Sequence, residues 1–366
     1  MRILQCIPTL EGGGAERQLC YLAKGLTDTG HAVQVVTMRG GVNEKRLRAT
    51  PATVEVLTDL SPASPATWWR LWRAIRRFRP DVVQSWICQM DVWGGLAARW
   101  TGTPWVLSER CSRQMYPPTF KNRVRRRVAQ GVSVVVANSQ AGEAYWREEL
   151  GVRSVLTRVI PNALPLAEID AEQAVRPDSV GQGERIILYA GRLDAQKNLP
   201  VLFRALPAVL NGGAFRVLIC GDGPDREKLQ GLAVELGIIR RVQFLGYVGN
   251  LYALMKAADV FVSVSKFEGQ PNAVMEAMAC RCPLVISDIP EHREFLDERS
   301  ALFAATSSSE GVATQLRACL ASAEGAQGRA TTARRIAERW DIAATARGYL
   351  AAYGAILGRG NGGGGS

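Results

Sequence analysis

The chain has 366 residues, 47% of them hydrophobic and 22% charged, with a formal net charge of +11 at pH 7. This composition is typical of a globular protein of about two domains, and it excludes collagen-like, disordered and small disulfide-rich chains. The positive excess favours anionic partners such as a nucleotide, a nucleic acid or an acidic membrane surface. The eight cysteines are scattered without metal-ligand spacing, which favours a reducing compartment.

Short apolar segments alternate with helical patterns along the chain, and those rich in Val, Ile and Leu predict buried strands. The first half holds Ile3–Ile7, Val33–Thr37, Val54–Leu57, Val82–Ser85, Trp105–Ser108, Val132–Ala137 and Val155–Ile160. Residues 161–184 are rich in Pro and Gly, which predicts a linker. The second half holds Ile186–Ala190, Val217–Cys220, Val242–Leu245, Val260–Val264 and Leu284–Ser287.

This alternation predicts an α/β protein of two doubly wound domains, each a parallel sheet covered by helices on both faces. We expect an N-terminal domain over residues 1–165 and a C-terminal domain over residues 184–340. Residues 341–358 predict an amphipathic helix, and the Gly-Ser tail at 362–366 reads as a linker scar. Ligands of such sheets lie beyond the carboxyl ends of the strands, so two facing domains would build a site in the cleft between them.

Three glycine or cation motifs follow predicted strands. Gly12–Gly14 would expose N–H groups at a helix start, which suits phosphate, although a plain tight turn needs the same glycines. Arg192 and Lys197 lie five residues apart, so one loop could direct both cations at a diphosphate; two solvated surface cations are the alternative. Asp222 and Gly223 suit a base or ribose contact, or again a plain turn.

The most specific motif follows the fourth strand of the second half. Glu268 and Glu276 are separated by seven residues, with Gly269 and Pro271 forming the loop and Asn272 placed to cap the next helix. The start of that helix would offer N–H groups to a phosphate or sugar, and Glu276 could accept hydrogen bonds from ribose hydroxyls. A solvated glutamate is the alternative, but the other strand-end motifs favour the functional interpretation.

Together these motifs resemble the signature of the group 1 retaining glycosyltransferases (family four) of GT-B fold, over the chain to about residue 357. The matching segments are Gly12-Gly13-Gly14-Ala15-Glu16, Pro161-Asn162-Ala163, Gly191-Arg192-Leu193 with Lys197-Asn198, Gly221-Asp222-Gly223-Pro224 and Glu268 with Glu276. The resemblance implies two Rossmann-like domains, a C-terminal helix that crosses back to the first, and a nucleotide-sugar donor. One departure is Arg281, which stands where the family often has Gly.

The resemblance also implies roles for the matching residues. Arg192 and Lys197 would bind the diphosphate, Glu276 the ribose and Glu268 the transferred sugar. The other implied donor contacts are Gly13, Gly14, Asp222, Gly223, Tyr247, Val248, Gly269, Gln270, Pro271, Asn272 and Ala273. Many relatives carry a His where this chain reads Ser108-Glu109-Arg110, so a catalytic role there would pass to Glu109 or to the arginine after it.

Two basic windows of the first half point to an anionic surface. Residues 68–79 hold five arginines and residues 110–127 hold seven cations, with no acid in either window and Trp and Phe at helical spacing in the first. Such a helix suits a membrane interface, although the aromatic face could instead pack on the sheet. The residues assigned to membrane or acceptor are Trp68, Trp69, Arg73, Arg76, Arg77, Arg110, Arg113, Arg125 and Arg126. No nucleic-acid-binding module is recognised, so no nucleic-acid partner is expected.

The sequence therefore predicts a retaining hexosyltransferase that moves a hexose or N-acetylhexosamine from a UDP-sugar to a polyprenyl-diphosphate-linked saccharide in cell-surface glycan assembly. No Asp-x-Asp pair occurs, so no metal cofactor is expected. The resemblance implies front-face attack, in which the leaving diphosphate itself takes the acceptor proton and no dedicated base is needed. With no secretory signal and no bilayer-spanning apolar run, we expect a peripheral protein at the cytoplasmic face of the plasma membrane. Transfer to a soluble acceptor and an inactive nucleotide-sugar-binding protein are the alternatives; a sugar-nucleotide epimerase would need acid/base groups that are not found.

Overall fold

The structure, a computed structural model, describes residues 1–57, 64–111, 116–149 and 156–360. Arg113 and the Gly-Ser tail lie outside the described residues. The fold divides into two compact units, one of Met1–Ala163 together with the chain from Trp340 onward, and one of Leu164–Arg339. Residues 164–183, which the sequence suggested as a linker, therefore belong to the second unit, where Arg334 pairs with Asp170 at 2.8 Å.

The described residues of the first unit form a seven-stranded parallel sheet. The strands are β1 (Arg2–Thr9), β2 (Ala32–Arg39), β3 (Thr53–Val56), β4 (Val82–Trp86), β5 (Trp105–Glu109), β6 (Val134–Ala137) and β7 (Leu156–Val159). Their order in the sheet is β3-β2-β1-β4-β5-β6-β7. In the five inner strands the Val, Ile and Leu side chains are buried on both faces, as expected of a parallel sheet covered by helices, whereas those of the edge strands β3 and β7 are half-buried. All seven strands predicted for this half are present, although β6 begins two residues later than the predicted Val132.

The helices of the first unit connect these strands. They are α1 (Gly14–Asp28), α2 (Val42–Arg48), α3 (Pro65–Phe78), α4 (Ile87–Thr101), α5 (Phe120–Ala129) and α6 (Gln140–Ala144). Helix α3 begins at a Ser64 cap with proline in its first turn, and it ends where Arg79 adopts a left-handed conformation. Helix α4 starts directly at the carboxyl end of β4, so Ile87 is the first helical residue and follows the strand without a loop.

The described residues of the second unit form a six-stranded parallel sheet. The strands are β8 (Arg185–Ala190), β9 (Phe215–Cys220), β10 (Val242–Gly246), β11 (Val260–Ser263), β12 (Leu284–Ser287) and β13 (Leu302–Ala304). Their order in the sheet is β10-β9-β8-β11-β12-β13. The helices are α7 (Leu166–Ala171), α8 (Leu199–Leu210), α9 (Arg226–Glu235), α10 (Leu251–Ala257), α11 (Asn272–Ala279), α12 (Pro290–Arg293), α13 (Ser309–Ala321) and α14 (Ala323–Ala337). Five strands match prediction, and β13 is an addition.

The C-terminal helix α15 (Ile342–Gly360) returns to the first unit. Tyr349 and Tyr353 are buried in the core that also contains side chains of α1. A side chain at Gly25 would lie 2.7 Å from the Ala346 methyl group, so the two helices approach at a distance that only glycine permits. None of the helices in the described ranges has the length and apolar character needed to cross a bilayer.

Candidate active site

Three neighbouring strands of the second unit end at the predicted site residues. Residues 191–198 follow β8, residues 221–224 follow β9, and residues 264–271 follow β11. In the sheet, β8 lies between β9 and β11, and all three strands are parallel. The three segments therefore meet at one edge of the sheet, the position where ligands bind in such folds.

An ion pair joins the first and third of these segments. Lys197 Nζ lies 2.6 Å from Glu268 Oε1, and both side chains are largely removed from water. Beside it, Gln196 Nε2 donates to the Phe267 carbonyl at 2.9 Å, and the Lys266 N–H donates to the Gln196 carbonyl at 2.9 Å. A charge-assisted hydrogen bond that is shielded from water is strong, so this ion pair fixes the loop after β8 relative to the loop after β11. The fold thus brings together a cation and a carboxylate that are 71 residues apart.

Arg192 lies at the rim of the same edge. Its side chain is 72% exposed, and the carboxylate of Asp194 is 3.6 Å from its Nε. The Tyr189 hydroxyl donates to the Arg192 carbonyl at 3.1 Å and holds the backbone in place. A guanidinium with this exposure can turn toward an anion at little cost, which is the property its predicted role requires.

The glycines after β9 are required by the packing of two loops. Gly221 has a φ of +120°, and a side chain there would lie 2.0 Å from the Gly191 carbonyl oxygen. A side chain at Gly223 would lie 2.4 Å from the Leu193 carbonyl oxygen. The Leu193 N–H donates to the Asp222 carbonyl at 3.0 Å. These glycines therefore have a structural reason that does not depend on any ligand.

Helix α11 places Glu276 inside the protein. The helix begins at Asn272, with Pro271 at the N-cap position and no side-chain cap, so the predicted capping by Asn272 is wrong: that residue already lies in the first turn. Glu276 is buried one turn later. The alternative of a solvated surface glutamate is therefore wrong.

The remaining predicted donor contacts of the second unit lie at the same or neighbouring strand ends. Gly269, Gln270 and Ala273 are half-buried beside Glu268, and Pro271 is buried. Tyr247 and Val248 follow β10, the strand next to β9, and the tyrosine is strongly exposed. Gly13 and Gly14 belong to the first unit, where Gly13 is the N-cap of α1 without a side-chain cap.

A pocket of about 300 Å³ adjoins the glycine segment in the first unit. Its lining residues come from the carboxyl ends of three neighbouring strands: Pro8, Thr9, Glu11, Met38, Arg39, Ile87 and Gln89. Ile87 has a φ of +68°, an uncommon and strained conformation for a β-branched residue. Sequence analysis did not single out Arg39, Ile87 and Gln89, because nothing in their spacing distinguishes them from other residues that follow a strand.

The sequence assigned a catalytic role to Glu109, but this residue is completely buried. One carboxylate oxygen accepts from the N–H groups of Arg110 and Cys111 and from the Tyr116 hydroxyl, at 2.6–2.9 Å. The other accepts from Arg125 Nη2 at 2.9 Å and from Trp146 Nε1 at 2.7 Å. Five donors satisfy the carboxylate and keep substrate away, so the catalytic prediction is wrong.

Arg125, predicted to face an acceptor or a membrane, is only 2% exposed. It pairs with Glu109 and, through Nε at 2.7 Å, with the fully buried Asp91. Burial lowers the pKa of Arg125, but the two carboxylates outweigh it and hold the pKa above its ordinary value. Burial likewise raises the pKa of Asp91, against the attraction of the guanidinium. The surface prediction for Arg125 is wrong, because this side of α5 faces the core.

Arg110 and Arg126 are half-buried. Arg110 Nη1 donates to Asn162 Oδ1 at 2.9 Å, Nη2 donates to the Tyr349 hydroxyl, and the guanidinium lies over the Trp86 ring at 4.1 Å. Arg110 thus ties the end of β5 to α15 within the first unit. These contacts give Arg110 a structural role that does not require a membrane or an acceptor.

Helix α3 presents the other basic residues. Trp69 is 47% exposed, whereas Trp68 packs edge-to-face on Trp100 with 5.7 Å between ring centroids. Trp100, at the end of α4, is itself 67% exposed. Arg73 lies over the Trp69 ring at 5.5 Å and is exposed, as are Arg76 and Arg77, the last paired with Glu55. We call the exposed side chains of Trp69, Arg73, Arg76 and Trp100 the aromatic-basic patch.

Two family matches cover most of the chain. Residues 184–322 match the family described as "Glycosyl transferases group 1", and residues 12–168 match "Glycosyltransferase Family 4". The chain belongs to the group 1 glycosyltransferases. Arg192, Lys197, Glu268 and Glu276 all lie within the segment that matches the group 1 glycosyl transferases.

Relatives of this glycosyltransferase come from several bacteria. It is 28% identical to the lipopolysaccharide core biosynthesis glycosyltransferase LpsD of Rhizobium meliloti over 278 residues, which cover 75% of each chain. It is 28% identical over 291 residues, 76% of this chain and 77% of the other, to an alpha-1,4-N-acetyl-D-galactosaminyltransferase of Campylobacter jejuni named for a PP-undecaprenol-linked saccharide. Among solved structures, Anabaena HepE in complex with UDP and glucose aligns with a TM-score of 0.84 and 22% identity, over 97% of this chain and 100% of that one. This last similarity shows the shared GT-B fold.

Proposed function

We propose that this glycosyltransferase transfers a hexose or N-acetylhexosamine from a UDP-sugar with retention of configuration and without a metal ion. The observation that carries the proposal is that one end of the second sheet holds the Lys197–Glu268 pair, the exposed Arg192 and the buried Glu276. Two cations and two carboxylates therefore lie at the carboxyl ends of neighbouring strands, and a sugar nucleotide has chemical groups that suit both. The cations suit its diphosphate, and the carboxylates suit its hydroxyl groups.

The proposed reaction needs charge stabilisation more than proton transfer. As the bond between the anomeric carbon and the diphosphate oxygen breaks, Arg192 and Lys197 neutralise the charge on the leaving group. The acceptor oxygen then bonds to the same face of the anomeric carbon, and its proton passes to the departing diphosphate. In this scheme Glu268 orients the sugar and Glu276 orients the ribose, and no side chain takes the proton.

The proposed acceptor is a polyprenyl-diphosphate-linked saccharide used in cell-surface glycan assembly. Two lines of support exist: a relative named for a PP-undecaprenol-linked saccharide, and the aromatic-basic patch on the first unit. Exposed tryptophans beside exposed arginines suit a peripheral position on an anionic bilayer, proposed here as the cytoplasmic face of the plasma membrane. Transfer to a soluble acceptor is the second candidate, favoured by the packing of Trp68 on Trp100, which gives part of the aromatic cluster a structural role.

The donor is tested first. Purified protein is screened for thermal stabilisation by UDP- and GDP-sugars, and the stabilising donor is incubated with short-chain polyprenyl-diphosphate saccharides. We expect one UDP-sugar to support transfer and NMR of the product to show the anomeric configuration of the donor. An inverted product would refute retention, and failure of every nucleotide sugar to bind would refute the enzyme proposal.

The membrane proposal is tested by sedimentation with anionic liposomes. Binding at low salt should weaken as the Debye length falls from about 10 Å at 0.1 M to about 3 Å at 1 M. Arg73→Glu combined with Arg76→Glu, or Trp69→Ser, should reduce binding. Arg204→Glu with Arg335→Glu, two exposed residues of the second unit, gives the same change in net charge and should bind normally. Wild-type protein that stays in the supernatant would favour the soluble acceptor.

A further inference from the structure

His292 is a fully buried histidine to which the proposed mechanism gives no role. It lies on α12, just after the carboxyl end of β12, and β12 neighbours β11, the strand that leads to Glu268. Because β11 and β12 are parallel, their carboxyl ends lie at the same end of the sheet, and His292 therefore lies at the same end of the sheet as the loop of Glu268.

The hydrogen bonds of His292 fix which ring nitrogen carries the proton. Nδ1 lies 2.8 Å from the carbonyl oxygen of Ser287, which can only accept, so Nδ1 is the donor. Burial lowers the pKa of His292, so the ring is neutral at neutral pH. Nε2 therefore carries a lone pair, and this atom is buried without a hydrogen-bond partner.

A second polar atom without a partner lies at the neighbouring strand end. Ser265 lies two residues after the end of β11, it is fully buried, and its Oγ also lacks a hydrogen bond. Buried polar atoms without partners are uncommon and call for an explanation. Both atoms follow adjacent parallel strands at the end of the sheet that carries the loop of Glu268, so a polar ligand bound there would complete their hydrogen bonding.

We propose that His292 is a specificity-determining residue that accepts a hydrogen bond at Nε2 from one hydroxyl group of the transferred sugar. The inference rests on the proposed function. A lone pair requires a donor, and diphosphate oxygens can only accept, so the partner is a group of the sugar nucleotide that donates. The ribose is already assigned to Glu276 and the base to the segment after β9, whereas His292 follows β12, next to the strand that leads to Glu268 and the transferred sugar. A site built to accept a hydroxyl rejects the sugar that lacks it, because the buried acceptor is then left unpaired.

Two substitutions separate recognition from structure. In His292→Asn the amide N–H can replace Nδ1–H toward Ser287, but no acceptor remains at the Nε2 position. In His292→Gln the longer amide can place its oxygen near that position. With the natural donor we expect kcat/KM to fall about 10- to 100-fold in His292→Asn and to recover in part in His292→Gln. Affinity for UDP alone, measured by calorimetry, should not change.

Donors that each lack one sugar hydroxyl identify the partner. For the donor without the partner hydroxyl, wild type and His292→Asn should have equal kcat/KM, whereas other deoxy-donors should keep the difference. An equal loss with every deoxy-donor, or a parallel loss of UDP affinity, would overturn the inference and indicate a structural role. Wild type that neither binds UDP nor transfers sugar would instead refute the proposed function, and this inference with it.

A spectroscopic readout avoids the risk that a variant fails to fold. The chain contains two histidines, His31 and His292, so ¹⁵N-histidine labelling gives a simple spectrum that His31→Gln assigns. Binding of the UDP-sugar should shift the resonance of the unprotonated ring nitrogen of His292, and UDP alone should leave it nearly unchanged. A shift of equal size with UDP alone would overturn the inference.

Discussion

Arg125 offers the sharpest test of the buried charges in the first unit. Its guanidinium joins Asp91 and Glu109 at 2.7 Å and 2.9 Å, and all three side chains are shielded from water. Its guanidinium carbon also lies 4.6 Å and 4.8 Å from the ring centroids of Tyr116 and Trp146. Arg125→Ala would leave two carboxylates buried without their counter-charge.

The expected cost is large relative to the stability of a domain. Removing one partner of a buried ion pair costs about 3–5 kcal/mol, and a whole domain is stable by about 5–15 kcal/mol. Arg125→Lys keeps the charge, but an ammonium group lacks the planar fork that reaches two carboxylates, so we expect an intermediate loss. Arg127→Ala, at an exposed position of the same helix, should change stability by less than about 0.5 kcal/mol.

Tryptophan fluorescence during urea unfolding is the assay that isolates the first unit. All nine tryptophans lie at positions 68–146 or at 340, within that unit. We expect the unfolding midpoint of Arg125→Ala to fall well below that of wild type, with Arg127→Ala close to wild type. Equal midpoints for Arg125→Ala and Arg127→Ala would refute the argument that the buried carboxylates need the guanidinium.

Four further predictions concern the second unit. Arg192→Ala and Lys197→Ala should each lower kcat/KM by an amount equivalent to about 2–4 kcal/mol of transition-state stabilisation, as for a lost charge-stabilising donor. The circular dichroism spectrum of each variant should be unchanged, and near-normal turnover of either variant would contradict the role of that residue. Transfer should persist in excess EDTA, and a loss that magnesium or manganese restores would show that a metal neutralises the diphosphate. Glu268→Gln should lower the rate of transfer but should bind UDP more tightly, by about 1 kcal/mol in calorimetry. In wild type, UDP must draw Lys197 away from a buried carboxylate, and in the variant this carboxylate is absent. Weaker UDP binding by the variant would contradict this explanation. Arg281→Gly should stabilise the second unit by about 1 kcal/mol in thermal unfolding, because residue 281 has a φ of +55°; a lower melting temperature would refute the strain.

The position of Arg281 shows how a departure from a family pattern can leave the fold intact. The Arg281 N–H donates to the Met278 carbonyl at 3.1 Å, and the Cys282 N–H donates to the Ala277 carbonyl at 3.0 Å. These two bonds form the Schellman motif that ends α11, in which the residue at position 281 is left-handed. Glycine is the favoured residue there, and the arginine tolerates the conformation because its side chain is exposed.

Strand positions were predictable because the parallel sheets bury continuous runs of Val, Ile and Leu. The strand β13 was missed because three residues, Leu302–Ala304, are too few to show a pattern. The burial of Arg125 was not predicted because the basic segment 110–127 was interpreted from its charge alone. The spacing of its residues along the helix was not considered. Val128 and Ala129 are buried on α5, and Arg125 precedes them by three and four residues. That spacing places it on the same inward face and could have revealed it.

The candidate site was only partly visible in the sequence. Arg192, Lys197, Glu268 and Glu276 stand in recognisable motifs, and the parallel sheet necessarily brings strand ends to one edge. His292 stands in no motif, and its relevance depends on which nitrogen meets the Ser287 carbonyl and on what surrounds the other. Spacing can therefore predict which loops meet, but not which buried atoms still need a partner after they have met.

The Lys197–Glu268 pair links the two halves of the proposed donor. A diphosphate that draws Lys197 Nζ away from Glu268 leaves a buried carboxylate without its partner, which costs about 1–3 kcal/mol. Sugar hydroxyls supply the hydrogen bonds that Glu268 then lacks, so the intact sugar nucleotide recovers a cost that the nucleotide diphosphate alone does not. After transfer, the departing UDP no longer carries the group that satisfies Glu268, and the lysine returns to the carboxylate. In the proposed reaction, the same ion pair therefore favours the intact sugar nucleotide over the UDP product.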